Sequence, residues 1–169
     1  PKIVYGTILS GDQYLHCEAT RERLFAEIRG RVSDVPGLVA EFSRCIRCYN
    51  CMVNCPICYC RECVFRTSVF DHPPLQYQTW LRRRGSVRLP ADTLLFHLTR
   101  LNHMVASCVG CGVCSSVCPS HLPVANLFRS VGQEVQALFG YAPGRSLDDE
   151  LPVAAFREDE LADVVKRDA

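Results

Sequence analysis

At 169 residues the chain can bury one moderate core or two small lobes, and 19 Lys/Arg against 18 Asp/Glu leave it a net charge of +1. That balance excludes the strong basic surplus of a nucleic-acid binder, and no stretch approaches the roughly eighteen consecutive apolar residues of a membrane-spanning helix. Charge is unevenly placed: residues 1–144 hold 15 Lys/Arg and 10 Asp/Glu, whereas residues 145–169 hold 4 and 8. The amino terminus lacks a basic region followed by an apolar segment and a cleavage site. It begins at Pro1 instead of Met, which fits processing or membership in a longer polypeptide.

In chain order, residues 3–9 read as a short strand or extended arm ended by Ser10, Gly11 and Asp12. From Thr20 to Arg29, Leu24, Phe25 and Ile28 recur at helical spacing among charges, with Gly30 near the end. Pro36 and Gly37 open a short apolar helix, Leu38 to Phe42, that delivers the chain to Cys45. Residues 72–90 form an irregular connection containing a helix from Leu75 to Arg83 and a stop at Gly85. Tyr77 and Trp80 on that helix read as packing residues, and Arg82, Arg83 and Arg84 as a solvated helix end or a partner contact. Asp92 is the expected N-cap of a helix reaching about Ala106, with Leu94, Leu95, Leu98, Leu101, Met104 and Val105 as its apolar stripe. Pro123 opens a second long helix whose stripe is Val124, Leu127, Phe128, Val131, Val135, Leu138 and Phe139, ended at Gly140. The acidic tail has a short helix expected at Glu158 to Lys166.

Twelve cysteines carry the chemistry. Cys45, Cys48, Cys51 and Cys55-Pro56 are answered by Cys108, Cys111, Cys114 and Cys118-Pro119, so both runs read C-x2-C-x2-C-x3-C-P. One C-x2-C pair would be weak evidence, because zinc sites and redox dithiols share it, but two complete matching runs are the spacing of a protein holding two [4Fe-4S] clusters. Three cysteines at two-residue gaps wrap one face of a cubane, and the fourth arrives from elsewhere; the proline after it redirects the chain. The expected ligands are Cys45, Cys48, Cys51 and Cys118 for cluster A, and Cys55, Cys108, Cys111 and Cys114 for cluster B. A secreted disulfide scaffold would distribute its cysteines, whereas these fall in tight clumps that suit a reducing compartment.

Four cysteines remain: Cys17, Cys58, Cys60 and Cys63. They match the number that a third [4Fe-4S] cluster requires, and the same four thiolates suit tetrahedral zinc; buried free thiols and a site shared with a partner chain are the other readings. His16 is a ligand or a plain surface histidine. His97 and His103 lie on the helix leading into the second run, with His103 close enough in sequence to sit near a cluster. Gly110 and Gly112 bracket Cys111 and let the main chain approach sulfide, where Arg47, Tyr49 and Asn50 fill comparable positions in the first run, so the two clusters should differ in potential.

Cys45 to Cys63, the segment His97-Leu-Thr-Arg-Leu-Asn-His-Met104, the run from Ser107 to Cys114 and Phe139-Gly-Tyr-Ala-Pro-Gly-Arg145 together resemble the iron-sulfur beta-subunit family of formate dehydrogenases and related heterodisulfide-reductase-associated modules. The resemblance covers about residues 38–160. It implies a non-catalytic electron-transfer subunit of a hetero-oligomer, cytoplasmic or within a membrane-associated complex, passing electrons between a flavin-bearing or molybdenum/tungsten-bearing subunit and another carrier. No Gly-rich loop after a strand and no dinucleotide fingerprint mark a flavin site in this chain.

The expected fold is mainly α, a helix-rich dicluster ferredoxin-like arrangement with a short extended or β N-terminal arm. Three parts are expected: residues 1–34, an arm and helix contributing to the third metal site; 35–144, the iron-sulfur domain; and 145–169, the acidic tail. Two rivals are a small catalytic iron-sulfur oxidoreductase with an open coordination site at Cys58, Cys60 and Cys63, and a zinc-containing structural or interaction protein.

Overall fold

The computed structural model describes residues 11–70, 73–85, 92–152 and 154. The expected arm at 3–9 and the helix at 158–166 lie outside the described residues. Regular elements among the described residues are all helical: α1 (Gly11–Arg31), α2 (Val35–Phe42), α3 (Asn50–Val53), α4 (Pro74–Arg84), α5 (Thr93–Met104), α6 (Val113–Ser116) and α7 (Val124–Leu138), with one 3-10 turn at Val64–Arg66. The fold is mainly α, as expected. None of these helices is long and apolar enough to cross a membrane.

Helix α1 begins nearer the amino terminus than the apolar spacing predicts. No breaker stands between Asp12 and Arg29; Asp12 favours the positive N-terminal end of the helix dipole, and Arg29 and Arg31 the negative end. Gly30 lies inside the helix. Asp34 then caps α2 by accepting the Gly37 amide at 2.7 Å, with Pro36 in the first turn. Gly37 is required there by space: a Cβ would lie 2.3 Å from the Arg31 carbonyl oxygen.

Helix α1 packs along α7, and Ile28 enters one buried cluster with Phe42, Met104, Leu122, Val124, Leu127 and Phe128. At the surface Gln133 donates to Glu22 at 2.9 Å and Arg29 approaches Glu134 at 3.4 Å. A second cluster joins Cys51, Met52, Phe65 and Phe96. Cysteine sulfurs border both clusters, so the apolar core is built around the thiols instead of beside them. Helix α4 buries none of its residues; Tyr77 and Trp80 meet edge to face at 5.4 Å, and Arg82, Arg83 and Arg84 form its exposed end before Gly85.

Helix α5 is rotated from its expected pose. Thr93, Phe96, His97, Arg100 and Met104 face inward, whereas Leu95 and Leu98 are 51% and 42% exposed. Asp92 occupies the N-cap position without a side-chain cap bond, and its carboxylate instead pairs with the buried Arg47 guanidinium. Charge attraction in a half-dry site outweighs one capping hydrogen bond.

Candidate metal centres

The two cysteine runs adopt one backbone. Arg47 and Tyr49 have φ of 53° and 61°; Gly110 and Gly112, at the matching positions, have 76° and 78°. Left-handed backbone there turns successive cysteines toward a common centre. Each run then makes one short helix, α3 or α6, and the two helices pack together. The amides of Cys55 and Cys118 close these turns on Met52 and Ser115, both at 3.2 Å. Glycine makes this conformation free in the second run. In the first, Arg47 is held by Asp92, by Tyr49 and by the Phe70 carbonyl.

Cys118 lines one cavity with Cys45, Cys48 and Cys51, walled by Phe96, His97, Leu122 and Val124. Cys55 lines another with Cys108, Cys111 and Cys114, walled by Arg100, Met104, Phe128 and Arg129. The fourth cysteine of each run thus stands with the opposite three. Among the described residues no three His, Cys, Asp or Glu groups converge on a single metal ion. Four thiols ringing an open space suit a multi-iron group, whose thiolates bind different irons and stand farther apart than those of one tetrahedral ion. The donor sets therefore fit [4Fe-4S] clusters.

Burial raises the thiol pKa of Cys45, Cys114 and Cys58 above the ordinary value, and that of Cys51 to about 11. Opposing this, the Arg100 cation draws Cys51, Cys58 and Cys114 down. Its Nη1 donates to Cys51 Sγ at 3.1 Å and its Nη2 to the Cys51 carbonyl at 2.8 Å. His97 Nε2 lies 3.2 Å from Cys45 Sγ. Burial first, and then Arg100, hold His97 neutral, its pKa lowered to about 3.

Cys58, Cys60 and Cys63 line a third, open depression of about 520 Å³ with Met52, Val53, Arg61, Glu62, Arg66 and Thr67. Cys17 is exposed on α1 and is not among that lining. His16 and His103 are also exposed. Of the two histidines on α5 it is thus His97 that meets a cysteine sulfur, one helical face away from the expected His103.

Arg100, Arg129 and Gln136 escaped the reading of the sequence. Arg129 donates to the Cys108 carbonyl at 2.6 Å and to Gln136 at 2.9 Å; Gln136 in turn donates to the carbonyls of Val105, Ala106 and Cys108. Together they satisfy the carbonyls that α5 leaves unpaired as it enters the second loop. One signal was present: Thr93, Phe96, His97, Arg100 and Met104 follow the helical repeat, but a stripe of mixed polarity is invisible to a search for apolar periodicity.

Residues 41–122 match the 4Fe-4S dicluster domain family. The chain is also 33% identical over 111 residues to the F420-dependent formate dehydrogenase subunit beta of Methanocaldococcus jannaschii, and 38% over 114 residues to the F420-dependent formate dehydrogenase 1 subunit beta of Methanococcus maripaludis. These alignments cover 66% and 68% of the chain but 25% of each relative, so the chain spans about a quarter of their length. A shorter segment of 37 residues, 22% of the chain, is 60% identical to 14% of the 5'-methylthioadenosine/S-adenosylhomocysteine nucleosidase of Mycobacterium bovis.

Proposed function

Because the chain is an iron-sulfur protein of the formate dehydrogenase beta-like family, with its dicluster domain at residues 41–122, we propose that it relays single electrons between redox centres of a larger oxidoreductase. The observation that carries this is the exchange of fourth cysteines between two cavities, one bordered by α3 and the other by α6, which pack together. Bound [4Fe-4S] clusters supply one-electron chemistry. The chain's own part is to hold them close, exclude water with Phe96, Phe128, Leu122 and Val124, and supply donors to their thiolates. In this reading Cys45, Cys48, Cys51 and Cys118 ligate one cluster, and Cys55, Cys108, Cys111 and Cys114 the other.

The partners follow from the same reading: a flavin-bearing or molybdenum/tungsten-bearing subunit on one side and another carrier on the other, in a cytoplasmic or membrane-associated hetero-oligomer. Helix α1, within the part at residues 1–34, docks on the iron-sulfur domain at 35–144, and residues 145–169 form its acidic tail. A third centre at Cys58, Cys60 and Cys63 is supported by their common depression. Its fourth ligand is Cys17 or another group from outside the lining.

The test is anaerobic purification of the intact complex, with iron, zinc and acid-labile sulfide measured per copy of this chain after subtracting centres assigned to other subunits. About twelve iron and twelve sulfide without zinc support three cubanes; about eight of each leave two. Accompanying zinc would make the surplus thiols a structural site, and zinc without iron or sulfide would overturn the relay itself. Cys17→Ser decides its own case by whether the third set of iron is lost.

A further inference from the structure

The two cysteine loops share a backbone but not a set of donors. Around the first cavity, His97 Nε2 lies 3.2 Å from Cys45 Sγ and Arg100 Nη1 lies 3.1 Å from Cys51 Sγ, the two side chains sitting one turn apart on α5. The amides of Arg47 and Leu122 add weaker contacts, 3.4 Å to Cys45 Sγ and 3.5 Å to Cys118 Sγ. Around the second cavity no nitrogen donor among the described residues reaches Cys55, Cys108, Cys111 or Cys114. The sulfur contact there is a thioether, Met104 Sδ at 3.8 Å from Cys55 Sγ. Arg129 also lines that cavity, but its Nη1 is engaged by the Cys108 carbonyl and Gln136.

Both donors on α5 are fixed by their surroundings. The imidazole of His97 stacks on Phe42 at 3.9 Å and is 1% exposed. Its Nδ1 is buried without a partner. A proton on Nδ1 would be a stranded donor, costlier than a stranded lone pair, so the tautomer carries its proton on Nε2, aimed at Cys45. Arg100 is 3% exposed, flanked by the rings of Phe96 and Phe128 at 5.5 and 5.3 Å and anchored on the Cys51 carbonyl.

A donor to a cluster thiolate withdraws negative charge and favours the reduced state, which carries one charge more. The Arg100 cation also faces the second cavity, so part of its effect is shared. His97 acts on the first alone. Resting on the two-cluster reading above, we propose that His97 and Arg100 are positioning residues that make the centre held by Cys45, Cys48, Cys51 and Cys118 the higher-potential one of the pair. One electron delivered to either centre then comes to rest there.

The test is a redox titration of the full chain, in its complex, followed by electron paramagnetic resonance. A low-potential chemical reductant supplies the electrons, and Cys48→Ser and Cys111→Ser perturb one signal each to identify the centres. The first centre reduced should be the one that Cys48→Ser perturbs. His97→Leu should lower that potential alone, by about tenfold in the electron's distribution, which is about 59 mV for a one-electron couple. His97→Gln, which keeps an N–H within reach, should restore part of the shift. Arg100→Lys keeps the charge without the fork and gives a smaller shift of the same sign; it stands as the second variant if His97→Leu fails to fold.

Iron and sulfide are measured on every sample. With cluster content intact, an unshifted potential, an equal shift of both centres, or first reduction at the centre marked by Cys111→Ser would overturn the proposal. Parent protein with fewer than two cubane signals and less than about eight iron would instead sink the two-cluster reading and the proposal with it.

Discussion

Arg47 and Gly110 hold the same left-handed backbone, φ 53° and 76°, each two residues beyond the first cysteine of its loop. Glycine adopts that conformation without penalty, whereas arginine is held in it by a buried ion pair with Asp92. Arg47→Gly relaxes the backbone yet takes the guanidinium away from the buried Asp92 carboxylate, so it should destabilise the protein by about 3 kcal/mol. Arg47→Gly with Asp92→Asn should recover most of that loss. Thermal melts of the cluster-loaded proteins check this, and a double variant no better than the single would refute the account.

Two glycines should respond differently to alanine. At Gly112 a Cβ meets nothing within 4 Å, so Gly112→Ala bears only the strain of φ 78°, about 1 kcal/mol. At Gly37 the Cβ meets the Arg31 carbonyl at 2.3 Å, and the turn between α1 and α2 must open. A loss of about 2–3 kcal/mol is expected for Gly37→Ala. Denaturant midpoints, with unchanged slopes, should rank the two in that order.

Gln136 is buried and bridges three carbonyls and Arg129. Gln136→Leu fills the space but takes the donor from the Val105 and Ala106 carbonyls, which costs about 2–3 kcal/mol. Because the bridged carbonyls lead into Cys108, heating should bleach the centre marked by Cys111→Ser before the other. Spectra recorded during a melt read the order directly.

The metal-stripped, reduced protein should lose stability in alkali. The Cys51 thiol, 7% exposed, titrates near 11 in the folded state against about 9 when unfolded. Its contribution is therefore fully present below pH 9 and is lost as pH rises from 9 to 11, where the unfolded chain has already shed the proton. The loss is about 2 kcal/mol. Urea unfolding at pH 8 and pH 11 measures it together with the smaller losses from Cys45, Cys58 and Cys114, and Cys51→Ala should shrink the difference.

Spacing made the two loops legible, because a cubane constrains three residues of one run far more tightly than any helix constrains its sequence. Helices α2, α4, α5 and α7 were legible from caps, breakers and apolar repeats. The rotation of α5 was not. Its leucines outnumber its polar inward residues, and only the sulfurs packed across it explain why His97 and Arg100 face the core. The start of α1 was hidden because its first turns carry little apolar pattern. Left-handed backbone at Arg47 and Tyr49 was hidden too, since neither residue advertises it and the restraint on Arg47 comes from Asp92, far along the chain.

The placement of Cys118 with the first loop and Cys55 with the second interlocks the halves of the chain. A polypeptide severed anywhere between Pro56 and Ser107 yields two fragments, neither of which owns a complete set of sulfurs for either cavity. Each would need its complement to become whole. The two loops are thus bound to be inherited, expressed and assembled as one.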